Sequence, residues 1–263
     1  MSTILITGAS SGIGAAAARL IAANTSDELI LVGRNPERTS AIATELGAEH
    51  HIADFSQFDQ VRALAASLSG RRIDVPANNA GGLFDGPRTT ADGFELTWQV
   101  NYLAPFLLTH LLREQIGATV NTASVASVLF SHLDPDNPGE FHSSNRAYGT
   151  AKLANIMFAR ALTARGIPSV SFHPGVIATG FAADSAGAMN RLYHSPIARL
   201  FSRPDRGGAN LAYFITGVPG ITWRSGTYYG SNRRPALTRP LAYGRAVDTL
   251  FDSSLRQLGI SNF

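Results

Sequence analysis

The sequence predicts an α/β protein built on a parallel, doubly wound sheet with helices on both faces. Three observations carry this. Short β-rich apolar runs alternate with helix-length patterns from Thr3 to about His173. The first runs, "TILIT" and "ELILVG", are apolar almost throughout, as strands buried on both sides must be. A glycine-rich turn, "GASSGIG", joins the first run to the first helical pattern.

The elements follow in order. "TILIT" precedes a helix near Gly12–Ala23, and "ELILVG" precedes one over Pro36–Leu46. "AEHHIAD" leads to Phe58–Leu68, and "IDVPANNA" to a long helix near Ala91–Leu112. "ATVNTAS" passes through a loop to a helix spanning Arg146–Leu162, and "PSVSFHPG" ends the regular part. Pro76 lies within the fourth run, where its missing ladder donor predicts a strand end or bulge. After Gly175 the rhythm loosens. Residues 180–204 mix small, apolar and basic side chains without a period, which suggests a mobile segment over a site. A helix near Asp205–Thr216 and a strand at "GTYYG" restore regularity. Without an internal repeat, low-complexity tract or linker, residues 1–263 read as a single domain.

Composition narrows the function. In 263 residues, 44% hydrophobic and 16% charged side chains describe a folded chain with a substantial core. The net charge of +3 is spread along the chain, and the longest basic runs are pairs such as Arg71-Arg72 and Arg233-Arg234. Nucleic-acid binding needs a clustered stripe, so it is not expected. Without cysteine there are no disulfides, thiolate catalysis or zinc–thiolate sites. The seven histidines show no metal-ligand spacing. The first strand starts too early to leave room for a signal peptide, and no apolar run reaches membrane-spanning length, so a cytoplasmic location is expected.

The turn "ITGASSGIG" holds Gly8, Gly12 and Gly14, with Ser10, Ser11 and Ile13 among them. Glycines let a backbone turn tightly and approach a ligand, and the helix N-terminus beyond offers free N–H groups to an anion. The spacing G-x-x-x-G-x-G differs from G-x-G-x-x-G, and no P-loop motif is present. About twenty residues on, at the end of the second strand, a dinucleotide site tests the adenosine ribose: a carboxylate suits a 2′-hydroxyl, an arginine a 2′-phosphate. The chain reads "LVGRN", with Arg34 and no carboxylate. NADP(H) rather than NAD is the inference, against the alternative of an ordinary exposed arginine.

One lysine exists among the twenty-two basic residues, Lys152, four positions after Tyr148 on one helix. Arginine cannot give up its proton and presents a larger planar fork, so a site needing a compact ammonium would retain lysine. Taken alone, a lysine surviving on a helix face explains the observation equally well.

Together, "TGASSGIG", "NNAG" (Asn78–Gly81), Asn101 in "VNYLAPFLLT", Ser124 in "NTAS", "YGTAK" (Tyr148–Lys152) and "HPGVIAT" (His173–Thr179) resemble the short-chain dehydrogenase/reductase family, classical type. The resemblance runs from Thr3 to about Phe181. "TTADGFELTWQVNYLAPFLLTHLL", "YGTAKLAN" and the long interval from Ser124 to Tyr148 are similar to the retinol-dehydrogenase-like branch. Pro76-Ala77 departs from the usual aliphatic pair before "NNAG", and Ala123 stands where that branch often has a serine.

The resemblance implies a Rossmann-type domain with Tyr148 as acid/base and Ser124 orienting the substrate oxygen. Lys152 would hydrogen-bond the nicotinamide ribose, and Asn101 would hold a water linking Lys152 to solvent. It assigns Gly8, Ser10, Ser11, Gly12, Ile13, Gly14, Arg34, Asp54, Asn78, Ala80, Gly81, Tyr148, Lys152, Pro174, Gly175, Ile177 and Thr179 to the cofactor. A phenol titrating near pH 10 is a poor base at neutrality, and a nearby ammonium favours its phenolate. The long helices around Leu103 and Ile156 are similar to those that pair in family homodimers and homotetramers.

The loops Gly82–Pro87 and Val125–Ala147 and the region Phe181–Leu200 would line the pocket. There Leu83, Phe84, Phe130, Phe141, Phe181, Met189 and Leu192 either form an apolar wall for a lipophilic aldehyde or ketone or merely anchor loops. The expected function is NADP-dependent interconversion of an alcohol and a carbonyl. Two other readings compete: an NADP-binding regulatory protein without turnover, disfavoured by the intact Ser124, Tyr148 and Lys152, and an S-adenosylmethionine-dependent methyltransferase, which gives no reason for Y-x-x-x-K.

Overall fold

In the computed structural model, which describes residues 1–175 and 204–263, seven parallel strands form one sheet. These are β1 (Thr3–Thr7), β2 (Glu28–Gly33), β3 (Glu49–Ile52), β4 (Val75–Asn78), β5 (Thr119–Thr122), β6 (Ser169–Phe172) and β7 (Tyr228–Tyr229). Their order is β3-β2-β1-β4-β5-β6-β7, so the chain reverses its direction of travel between β1 and β4. The alternating pleat of β1 sends Leu5 into one core and Ile4 and Ile6 into the other, and all three are buried.

The core around Ile4 and Ile6 is covered by α1 (Gly12–Asn24), α2 (Pro36–Leu46) and α8 (Pro204–Ile215). α2 matches its sequence signals closely: Asn35 caps it by accepting from the Arg38 amide at 2.8 Å, Pro36 follows, and Gly47 ends it at φ 64. α1 and α8 pack so tightly that a Cβ on Gly208 would lie 2.5 Å from the Ala16 Cβ.

The Leu5 core is covered by α3 (Phe58–Ser67), by α4 (Leu96–Trp98) continuing through a π-helical turn (Gln99–Leu103) into α5 (Ala104–Leu112), and by α7 (Ser144–Ala164) and α9 (Arg245–Gln257). The short α6 (Ala126–Leu129) lies between β5 and α7. The helical pattern suggests a start near Ala91, but the helix begins at Leu96. Thr90 and Gly93 close a turn first, with Gly93 at φ 87, and the Glu95 carboxylate then caps by accepting from the Trp98 amide at 2.7 Å. Pro76 is the second residue of β4, in register with Leu5, and pairing with β5 begins only at Ala77.

A C-terminal helix is not among the sequence expectations, although Val247, Leu250, Phe251 and Ser254 repeat at helical spacing, and α9 decides what covers the long helices. Phe106 of α5 stacks on Phe158 of α7 at 4.8 Å, and Phe251 of α9 closes over Phe106 at 5.0 Å. Tyr102 and Ser254 share a hydrogen bond of 2.8 Å. Leu103 and Ile156, in the long helices similar to those that pair in family oligomers, are buried within this one chain. Among the described residues no helix is long and apolar enough to cross a membrane.

Candidate active site at the carboxyl ends of the strands

Every loop leaving a strand from β1 to β6 contributes to one cleft of about 920 Å³. Its wall takes Gly8, Ser10, Ser11, Gly12 and Ile13 from the first loop and Arg34 and Asp54 from the next two. Ala80 and Gly81, Ser124, and Pro174 and Gly175 come from the loops after β4, β5 and β6, and Tyr148 and Lys152 project from α7. A cleft at the carboxyl ends, where β1 and β4 diverge, is where open parallel sheets bind ligands.

The divergence point is held by Thr7. Its hydroxyl donates to the Ala77 carbonyl and accepts from the amides of Asn79 and Ala80, each at 3.0 Å, while Asn79 Nδ2 donates to the Thr7 carbonyl at 2.9 Å. These bonds draw the "NNAG" turn against the glycine loop. Gly8, at φ 69, has no room for more: a Cβ there would fall 2.9 Å from the Ala80 Cα. Gly14 supports the loop from behind, since its Cβ would strike the Gly8 carbonyl at 2.3 Å. The loop delivers the chain to α1, whose cap residue Ser11 makes no side-chain cap bond and whose first turn has no acidic residue. Among the described residues no side chain caps its leading amides, which suits an anion such as a pyrophosphate.

At the far end Arg34 is joined by Arg38, one turn into α2; both are exposed, and neither is in an ion pair among the described residues. Arg38 is not among the expected cofactor residues, although its place four residues after Arg34, beyond a capped helix start, marks it.

Lys152 is 2% exposed, and its Nζ lies 5.5 Å from the centre of the Tyr148 ring and donates to the Thr122 carbonyl at 3.1 Å. Burial pushes its pKa down to about 7. Ser124 is also in the cleft wall; its hydroxyl accepts from the Ala126 amide at 3.2 Å. His173 lines the same region, and burial lowers it to about 4, so it is neutral at neutral pH.

Two expected residues sit behind the wall. The Asn78 side chain is buried against Thr109 at 3.1 Å and Asn121 at 2.9 Å, and Asn79 occupies the cleft in its stead. The β-strand alternation explains the swap, because neighbouring residues face opposite ways. Asn101, in the π-helical turn, is fully buried. Its amide donates to the carbonyls of Gly82 and Thr97 at 2.9 Å, and its Oδ1 accepts from the Gly82 amide at 3.1 Å. The side chain thus holds the loop after "NNAG", and its Oδ1 and Lys152 Nζ both abut Gly81, where a Cβ would lie 2.3 Å and 3.2 Å from them. The Asn101 carbonyl accepts from Asn155 Nδ2 at 3.1 Å.

On the substrate side, Leu83, Phe84 and Phe130 line the cleft together with Val125, Leu129 and Asn145, whereas Phe141 is not part of the wall. Ile177, Thr179, Phe181, Met189, Leu192 and nearly all of the 180–204 segment lie outside the described residues.

Comparison with known proteins gives one consistent answer. The family model described as "short chain dehydrogenase" matches residues 2–189. The chain is 38% identical to "Putative daunorubicin C-13 ketoreductase DnrU" of Streptomyces sp. (strain C5), over 98% of this chain and 92% of that one. It is 28% identical to human retinol dehydrogenase 12, over 98% and 86%. Among solved structures, levodione reductase superposes with a TM-score of 0.66 at 25% identity, over 87% of this chain and 95% of that one.

Proposed function

This chain belongs to the short-chain dehydrogenase family, oxidoreductases of alcohols and ketones that use a nicotinamide cofactor, and from that premise we propose that it is an NADP(H)-dependent carbonyl reductase acting on lipophilic ketones or aldehydes. The observation that carries the reading is the burial of the chain's only lysine beneath Tyr148 at the floor of a cleft that also holds Ser124. Desolvating an ammonium is costly, and a core that only needed filling would use an apolar side chain.

The residues divide the work. Gly8, Gly12 and the α1 amides accept the pyrophosphate, and Arg34 with Arg38 meets a 2′-phosphate. Asp54, Ala80, Gly81, Pro174 and Gly175 line the remainder of the dinucleotide path. The bound cofactor supplies the hydride to one face of the substrate carbonyl. The Ser124 hydroxyl orients the carbonyl oxygen, and the Tyr148 phenol delivers the proton that converts the developing alkoxide to an alcohol. Lys152 supplies positive charge beside the phenol and a donor toward the ribose. In the reverse direction the same phenol takes the proton back. The apolar residues Leu83, Phe84, Val125, Leu129 and Phe130 favour a hydrophobic substrate body. The names of the ketoreductase and levodione reductase relatives agree with a ketone substrate.

The test is consumption of NADPH, followed by absorbance, against ketones graded by chain length, in the parent and in Tyr148→Phe. The variant should keep its NADPH affinity and lose on the order of a hundred- to ten-thousand-fold in kcat. Near-parental turnover in Tyr148→Phe refutes the assignment.

A further inference from the structure

We infer that Asn145 is a specificity residue, and that the preferred substrates carry a second oxygen, a hydroxyl or carbonyl, about one helical turn from the carbonyl that is reduced. The inference rests on the reductase reading and adds to it the chemical class of the substrate.

Three consecutive polar residues open α7, and two have structural partners. The Ser143 hydroxyl caps the helix by accepting from the Arg146 amide at 3.3 Å. The Ser144 hydroxyl accepts from the Gly86 amide at 3.2 Å and ties the loop after β4 to the helix. Asn145 is different. Among the described residues no hydrogen bond engages its carboxamide, and it lines the cleft. It precedes Tyr148 by three positions and Lys152 by seven, so the three share one face of α7. With a rise of about 1.5 Å per residue, Asn145 stands about 4.5 Å along the helix from Tyr148.

The surroundings sharpen the contrast. Leu83, Phe84, Val125, Leu129 and Phe130 line the same end of the cleft, and Leu129 and Phe130 are 60% and 37% exposed there. A carboxamide beside these apolar walls, offering both donor and acceptor, can read a polar substituent on an otherwise hydrophobic substrate. An oxygen placed to meet it while the reacting carbonyl meets Tyr148 lies several carbons from that carbonyl, on the part of the skeleton that passes the start of α7. A compound lacking this oxygen would bury the carboxamide unpaired.

The experiment uses the purified full chain with NADPH and a matched pair of ketones, one a monoketone and the other the same skeleton with a hydroxyl or second ketone at that separation. Both turnover and ketone binding to the enzyme–NADPH complex, read by fluorescence, are measured in the parent, Asn145→Leu and Asn145→Ser. The parent should favour the oxygenated ketone by roughly ten- to a hundredfold in kcat/KM, the worth of one hydrogen bond set against one unmade. Asn145→Leu should erase that ratio, and Asn145→Ser should keep part of it. A ratio unchanged in Asn145→Leu, or an equal fall on both ketones, overturns the inference. Turnover of neither ketone, with a binding preference that still disappears in Asn145→Leu, would sink the reductase reading and leave the specificity assignment standing.

Discussion

Lys152 and Asn155 reach the same oxygen: the lysine Nζ and the asparagine Nδ2 both donate to the Thr122 carbonyl, at 3.1 Å and 3.4 Å. Asn155 also donates to the Asn101 carbonyl at 3.1 Å, which couples α7, the end of β5 and the π-helical turn. Replacing Asn155 by Leu should leave the Asn101 carbonyl unsatisfied and cost about 1–3 kcal/mol of stability. Because the Thr122 carbonyl that accepts from Lys152 would lose its second donor and its tie to the π-helical turn, kcat should fall more than KM rises, and the pH dependence of kcat should move with it. Denaturant titration together with a pH–rate profile checks this. An unmoved profile with stability alone reduced would make Asn155 purely structural.

The charge state of Lys152 makes a pH prediction with a definite sign. An unfolded lysine titrates near its ordinary value of 10.5, while the buried one is lowered to about 7. Between pH 7 and 10.5 the unfolded chain holds more protons, so stability rises with pH across that window; the penalty is fully present below about 7. Lys152→Met removes it. The melting temperature of the variant minus that of the parent should be most positive near pH 6 and shrink toward pH 10. A difference independent of pH would show that burial does not disfavour the ammonium. Lys152→Arg, although it retains charge, should lose both NADPH affinity and turnover, because the fork does not fit a compact donor's place.

Cofactor choice is expected to rest on Arg34 and Arg38. NADPH should bind more tightly than NADH, and Arg34→Asp should reduce or reverse the preference, since a carboxylate repels a 2′-phosphate and accepts from a 2′-hydroxyl. Arg38→Ala should weaken NADPH while leaving NADH nearly unchanged. Fluorescence titration of both cofactors decides, and equal affinities in the parent would remove the basis for an NADP preference.

Phe251 is the keystone of the α9 contact. It is 2% exposed, lies 5.0 Å from Phe106 and 4.9 Å from Phe263, and carries the Arg165 guanidinium at 3.7 Å above its ring. Phe251→Ala should cost about 3–5 kcal/mol, the usual loss for a core aromatic. With α9 loosened, the apolar faces of α5 and α7 become available, so the variant should self-associate more than the parent in sedimentation. An intact stability and unchanged sedimentation would place the packing of α9 outside the core.

Much of this protein is written locally. Alternating runs with fully apolar strands dictate a parallel sheet, because a strand covered on both faces tolerates no polar side. "TGASSGIG" dictates a tight, close-approaching turn, because only glycine fits at Gly8 beside Ala80. Y-x-x-x-K puts Tyr148 and Lys152 on one face of a helix whatever surrounds it. What the sequence leaves open depends on long-range geometry. Which asparagine of Asn78-Asn79 faces the cleft follows from where β4 ends and from the partners Thr109 and Asn121, distant in the chain. That the Asn101 side chain braces Gly82 follows from the π-helical turn, which no local periodicity announces. The covering of α5 and α7 by α9 was beyond the reach of pattern alone, since an apolar helix face looks the same whether its partner is another subunit or the chain's own last helix. Local spacing specifies side chains along one element; only packing decides which elements meet, and so which polar groups are left free for a ligand.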